Sequence, residues 1–173
     1  PVKDNDSDIL DAAGKGIEAG GATVIAWWLT TSAAASALTR TCLLNNPLGE
    51  GVNEIIKVFE ETPRLRTLCG FEEGVQQIDW KDSGKGVADV ALLSAELKAC
   101  RAVAEIYEVN ISMNPIGVDG AKALGDVISG SSLKCLIIGP KGTRLPVNDG
   151  EVTELNFEGQ EFGPVEVTLV AAA

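Results

Sequence analysis

The stretch Ile106 to Ile116, IYEVNISMNPI, decides how the rest of the chain reads. Ile106, Val109 and Ile111 stand at its first, fourth and sixth positions, Asn114 at the ninth and Ile116 at the eleventh. The alternation through Val109 and Ile111 predicts a short strand with every second side chain inward. The Asn side chain then hydrogen-bonds the backbone where the chain turns away, serving groups that no strand ladder reaches. Beyond it, Ala121, Leu124, Val127 and Ile128 have helical spacing, so a returning helix follows the strand.

Working outward, the same pattern recurs. Asn114-Pro115-Ile116-Gly117 repeats Asn46-Pro47-Leu48-Gly49 at an offset of 68 residues, and the offset also relates Ile106 to Leu38, Ile111 to Leu43, Leu136 to Leu68 and Leu97 to Leu29. Beyond Gly139–Gly150 the offset becomes 77, relating Trp80 to Phe157 and Leu92 to Leu169, so that stretch reads as a loop insertion. Leu38, Thr41, Leu43, Asn46 and Leu48 follow the template with Thr41 as the one departure. Val152, Leu155, Phe157, Gln160 and Phe162 follow it with Gln in place of Asn. Val75, Ile78 and Trp80 match its first half, and Leu65–Leu68–Gly70 and Leu133–Leu136–Ile138 make weaker turns. Val52, Ile55, Ile56 and Phe59 supply a second helical face, and Val90, Leu93 and Leu97 a third.

At these residues the chain resembles a leucine-rich repeat protein, and its long helical segments are similar to the ribonuclease-inhibitor-like subclass. The resemblance covers residues 20–173. It implies an α/β fold, a right-handed solenoid of about five or six turns, with short parallel strands on a concave face and helices on a convex one. Residues 1–19 are expected to form an acidic, weakly structured segment, and the solenoid to be incomplete at its C-terminus. A doubly wound α/β enzyme domain with an anion site is the distant alternative. It needs a phosphate turn, and neither Gly139-Pro140-Lys141-Gly142-Thr143-Arg144 nor Gly14-Lys15-Gly16 has the P-loop pattern.

Composition narrows function further. Among 173 residues there are 25 acidic and 14 basic side chains and no histidine, a net charge of −11. Nucleic acid is not an expected partner, because phosphate neutralisation needs a basic surface. The absence of histidine removes His-dependent triads and HExxH zinc sites. Asp4-x-Asp6-x-Asp8 begins like a calcium loop, but Ile9 and Lys15 stand where its Gly and closing Glu belong. Ala19 to Thr39 carries no charge, yet its many Thr, Ser, Ala and Gly residues and its central Trp27-Trp28 pair favour a buried helix over a membrane span. Membrane contact is expected only indirectly, through a complex. Cys42, Cys69, Cys100 and Cys135 contain no CxxC and read as packed thiols, which suits an intracellular, reducing compartment, organelles included.

No catalytic, cofactor-binding or metal-binding residue is assigned, and no cofactor is expected. The expected function is a non-enzymatic protein-protein interaction or scaffold module, or else a structural accessory subunit of a large, membrane-associated complex. Its protein partner is expected to be basic, meeting outward strand residues Asp79, Lys81, Glu108, Asn110, Ser112, Glu154, Asn156 and Glu158. The alternative contact is the Trp27/Trp28 pair: neighbours on a helix point about 100° apart, so at most one can face a core squarely.

Overall fold

A computed structural model describes residues 8–173. Asp4 and Asp6 of the acidic start lie outside the described residues. The chain divides into two compact units, Pro1–Phe71 and Glu72–Ala173.

The first unit holds strand β1 (Ile9–Asp11), helix α1 (Ala19–Thr31), strand β2 (Arg40–Cys42) and helix α2 (Gly51–Glu61). β1 and β2 pair in parallel, so part of the stretch read as weakly structured is a strand. The uncharged run Ala19–Thr39 splits into α1 and a 3-10 turn at Ala34–Ala37. Among the described residues no helix is long and apolar enough to cross a membrane. Gly51 lets α1 and α2 pack closely, since a Cβ there would fall 2.5 Å from the Ala19 carbonyl oxygen and 2.7 Å from Ala22 Cβ. Arg64 closes the far end of α1 by donating to the carbonyls of Leu29 and Ala35.

The second unit holds β3 (Gln77–Asp79), α3 (Val87–Ala99), β4 (Glu108–Asn110), α4 (Gly117–Ile128), β5 (Cys135–Ile138), β6 (Thr143–Pro146) and α5 (Pro164–Ala172). Its sheet runs β3-β4-β5-β6, parallel except for the antiparallel β5–β6 pair. α3 and α5 start alike: the N–H of Gly86 donates to Asp89 and that of Gly163 to Glu166, satisfying a donor that a helix start leaves open. Ile78, Val109, Leu136 and Leu145, one from each strand, are buried on the core side of this sheet.

The expected right-handed solenoid is therefore not the architecture. The strands form two sheets, of two and four strands, and the larger is mixed. Two local choices account for this. Near Leu65–Gly70, Thr67 Oγ1 accepts the N–H groups of Cys69 and Phe71, which a further ladder would have used. Thr67 and Cys69 consequently make only isolated bridges to Arg40 and Cys42. At the other end, Gly139 (φ +74°) and Gly142 (φ +66°) turn the chain back, so the inserted stretch is a β-hairpin and β6 occupies the edge that another parallel strand would need. The final template copy forms no strand: Val152 and Leu155, expected inward, are 39% and 47% exposed, while Phe157 stacks on Phe162 at 5.0 Å.

The template asparagines behave as their chemistry requires. Asn46 Nδ2 donates to the carbonyls of Ala12, Leu43 and Leu44, while its Oδ1 accepts from Ile17 N–H. Asn114 does the same with Trp80, Ile111 and Ser112, its Oδ1 accepting from Ser83 and Lys85. Each stitches a strand end to the preceding turn.

Candidate functional site: the outward sheet face of the second unit

The strand register of the second unit aligns its outward side chains in two rows. Gln77, Glu108, Cys135 and Pro146 form one, and Asp79, Asn110, Ile137 and Arg144 the other. Because β-strand side chains alternate, burial of Ile78, Val109, Leu136 and Leu145 places these eight on the opposite face. The face is flanked by Tyr107, whose hydroxyl accepts from Gln77 Nε2 at 2.8 Å.

Its electrostatics centre on one ion pair. Arg144 Nη2 lies 2.6 Å from Glu108 Oε2, with the arginine exposed and the carboxylate mostly covered. This hydrogen bond raises the arginine pKa above its ordinary value. Burial pushes the Cys135 thiol up, Arg144 opposes that shift and Glu108 adds to it, so Cys135 stays a neutral thiol at neutral pH.

Of the residues singled out from sequence, Asp79, Glu108 and Asn110 share this face. Lys81 lies just beyond β3, its N–H held by Asp79 Oδ1. Ser112 is fully buried and cannot meet a partner; its hydroxyl donates to Asn110 Oδ1 at 2.7 Å and so orients that amide. Glu154, Asn156 and Glu158 are exposed on the segment that forms no strand, and Asn156 accepts the N–H of Glu158. In the first unit, Trp27 is 64% exposed and Trp28 half-buried.

Arg144 was missed, having been read inside a turn. Its signal was available: a Gly-x-x-Gly turn between Leu136-Ile137-Ile138 and the alternating Arg144-Leu145-Pro146-Val147 is a hairpin pattern. The anion-site alternative loses its cations to other partners. Lys141 pairs with Glu161 at 2.8 Å and the Gly159 carbonyl at 2.6 Å, and Arg144 pairs with Glu108. Cys42, Cys69, Cys100 and Cys135 are all thiols. Among the described residues no cluster of His, Cys, Asp and Glu is placed to hold a metal ion. Compared with known proteins, the sequence matches no protein-family model and none of the curated proteins.

Proposed function

We propose that the chain is a non-enzymatic protein-interaction module that receives a partner on the outward face of the β3–β6 sheet. One observation carries this reading: eight side chains stand in cross-strand register on a sheet whose opposite face is locked in the core. A surface so fixed binds with little ordering cost, which favours affinity. Its mixture of amide, carboxylate, guanidinium and half-buried Ile137 suits a polar protein surface rather than a small molecule. The Glu108–Arg144 pair is internally neutral, so attraction of a basic partner falls to Asp79 and to the net charge of −11. The thiol state of all four cysteines supports placing the module in a reducing compartment. The asparagine-anchored turns support kinship of its strand–helix units with leucine-rich repeats.

A second reading, a structural accessory subunit of a larger assembly, draws on Trp27 and Val24, both strongly exposed on α1. Site-specific photo-cross-linking of protein purified gently from its native source tests the first reading. A photoreactive residue at Gln77 should capture one defined protein, one at the exposed Lys122 on α4 should not, and Arg144→Glu should abolish capture. Capture at Lys122 alone would overturn the proposal.

A further inference from the structure

The first unit carries a feature that the sheet-face reading does not use. Between α1 and α2 lies an open groove of about 250 Å3, floored by Ala26 and Val58 and walled by Trp27 on one side and by Glu54, Lys57 and Glu61 on the other. Trp27 is the most exposed large hydrophobic side chain among the described residues. An indole held in water forgoes the burial that a residue of its size normally obtains. The hydroxyls of Thr23 and Thr30 bond carbonyls of their own helix, so these side chains are engaged along the α1 wall. Glu54 and Glu61 stand two turns apart on α2, about 10 Å along its axis.

The second unit supplies an internal control. Ala95, buried, takes the place of Trp27. Matching the buried Ala121, Leu124 and Ile128 of α4 with Val52, Ile55 and Phe59 of α2 puts Ala123 and Gly130 where Glu54 and Glu61 stand. The combination of aromatic face and paired carboxylates therefore belongs to the first unit and is no requirement of the repeated fold.

We propose that this groove docks an arginine-bearing segment of a partner protein, with guanidinium groups stacked on the Trp27 indole and paired with the Glu54 and Glu61 carboxylates. The choice of occupant follows from charge complementarity. An aromatic face attracts a cation through its quadrupole, and guanidinium combines flat stacking with bidentate pairing to carboxylates. The same chain already holds a cation on an indole, with Lys85 Nζ 5.5 Å from the Trp80 ring centroid. Lys57, on the same wall, opposes an incoming cation, so its removal strengthens docking.

The test is fluorescence polarisation of a labelled hexapeptide containing three arginines, titrated with the full chain at two salt concentrations, beside its citrulline analogue. The arginine peptide should bind and the citrulline peptide should not. Trp27→Ala should weaken binding tenfold or more, and Trp27→Leu nearly as much, since leucine keeps apolar area but has no π face. The double variant Glu54→Gln/Glu61→Gln should weaken it at least fivefold, and Lys57→Ala should tighten it. Asp126→Asn, an exposed carboxylate on α4, should leave it unchanged, which separates this groove from diffuse attraction to net charge. Circular dichroism melting of the Trp27 variants confirms that the fold is kept. Equal binding by Trp27→Ala and the parent chain would overturn the proposal, leaving only diffuse attraction to an acidic protein. So would sedimentation showing that Trp27→Ala dissolves a dimer while no peptide binds, because the occupant would then be a second copy.

Discussion

Shifted by 68 residues, β1, α1 and β2 of the first unit fall on β3, α3 and β4 of the second with the same boundaries. The equivalence reaches single hydrogen bonds: Ala12 N–H to the Cys42 carbonyl at 2.9 Å corresponds to Trp80 N–H to Asn110 at 2.8 Å. Yet the copies differ outside this frame. The first sheet stops at two strands and the second continues to four. α1 exposes Val24 and Trp27, whereas Leu92 and Ala95 at the same places on α3 are buried. Inward positions and the asparagine stitch define a scaffold that tolerates duplication. Outward positions are then free to acquire unrelated chemistry.

The comparison breaks most readily in the core. Leu68→Ala and Leu136→Ala remove equivalent, fully buried side chains, and each should cost about 2–5 kcal/mol. Hydrogen exchange should show protection lost up to Phe71 in the first variant and from Glu72 onward in the second. Equal loss across both stretches would mean that the two units do not unfold as separate bodies.

Next comes the stitch. Asn46→Ala leaves three carbonyls and one N–H without their side-chain partner, for an expected loss of about 2–3 kcal/mol in urea denaturation. Asn114→Ala should cost about 1 kcal/mol less, because Asn114 is half-exposed and water can replace the amide.

A smaller effect of opposite sign sits one residue earlier. Asn45 and Met113 both adopt a left-handed backbone, at φ +59°. Asn adopts that conformation at lower cost than Met. Met113→Asn should therefore raise stability by about 0.5–1 kcal/mol in thermal melting, and Asn45→Met should lower it comparably.

Alkali should act on the second unit through one thiol. The Cys135 thiol is raised by burial, opposed by Arg144 and reinforced by Glu108. The folded value exceeds the unfolded one, so the contribution of this thiol is intact below about pH 8.5 and fades as pH climbs through the folded value. Amide exchange followed from pH 8 to 10 should show protection falling around β5 as Cys135 ionises. Iodoacetamide at pH 8 should label exposed Cys100 well ahead of Cys135. The smallest effect is expected at the Glu108–Arg144 pair, whose arginine is exposed, where Arg144→Ala should change stability by about 0.5 kcal/mol or less.

Much of the interior was legible because a period-two strand followed by a helix constrains inward residues strongly. Leu38, Leu43, Leu48, Ile106, Val109 and Ile111 are all buried as the template requires. Where each sheet ends was not legible. That depends on the Thr67 hydroxyl capturing two N–H groups and on a glycine turn reversing the chain, which are events of one or two residues inside an otherwise regular pattern. The same difficulty affected the site. Glu154, Asn156 and Glu158 were placed by a template copy that keeps its spacing without forming a ladder, and Ser112 looked outward but is buried where the hairpin turn at Gly142 comes close to its hydroxyl.

The β5–β6 hairpin also bears on self-assembly. Val147 N–H bonds back to the Lys134 carbonyl, so the nitrogen of Pro146, one residue earlier, faces the open side of β6. That nitrogen has no hydrogen to offer. The sheet thus ends in a strand that is poor at templating another molecule's strand, a safeguard against fibrous growth in a chain whose neighbouring strand reads Cys135-Leu136-Ile137-Ile138. Pro146→Val would restore the missing donor and turn a closed margin into a seed.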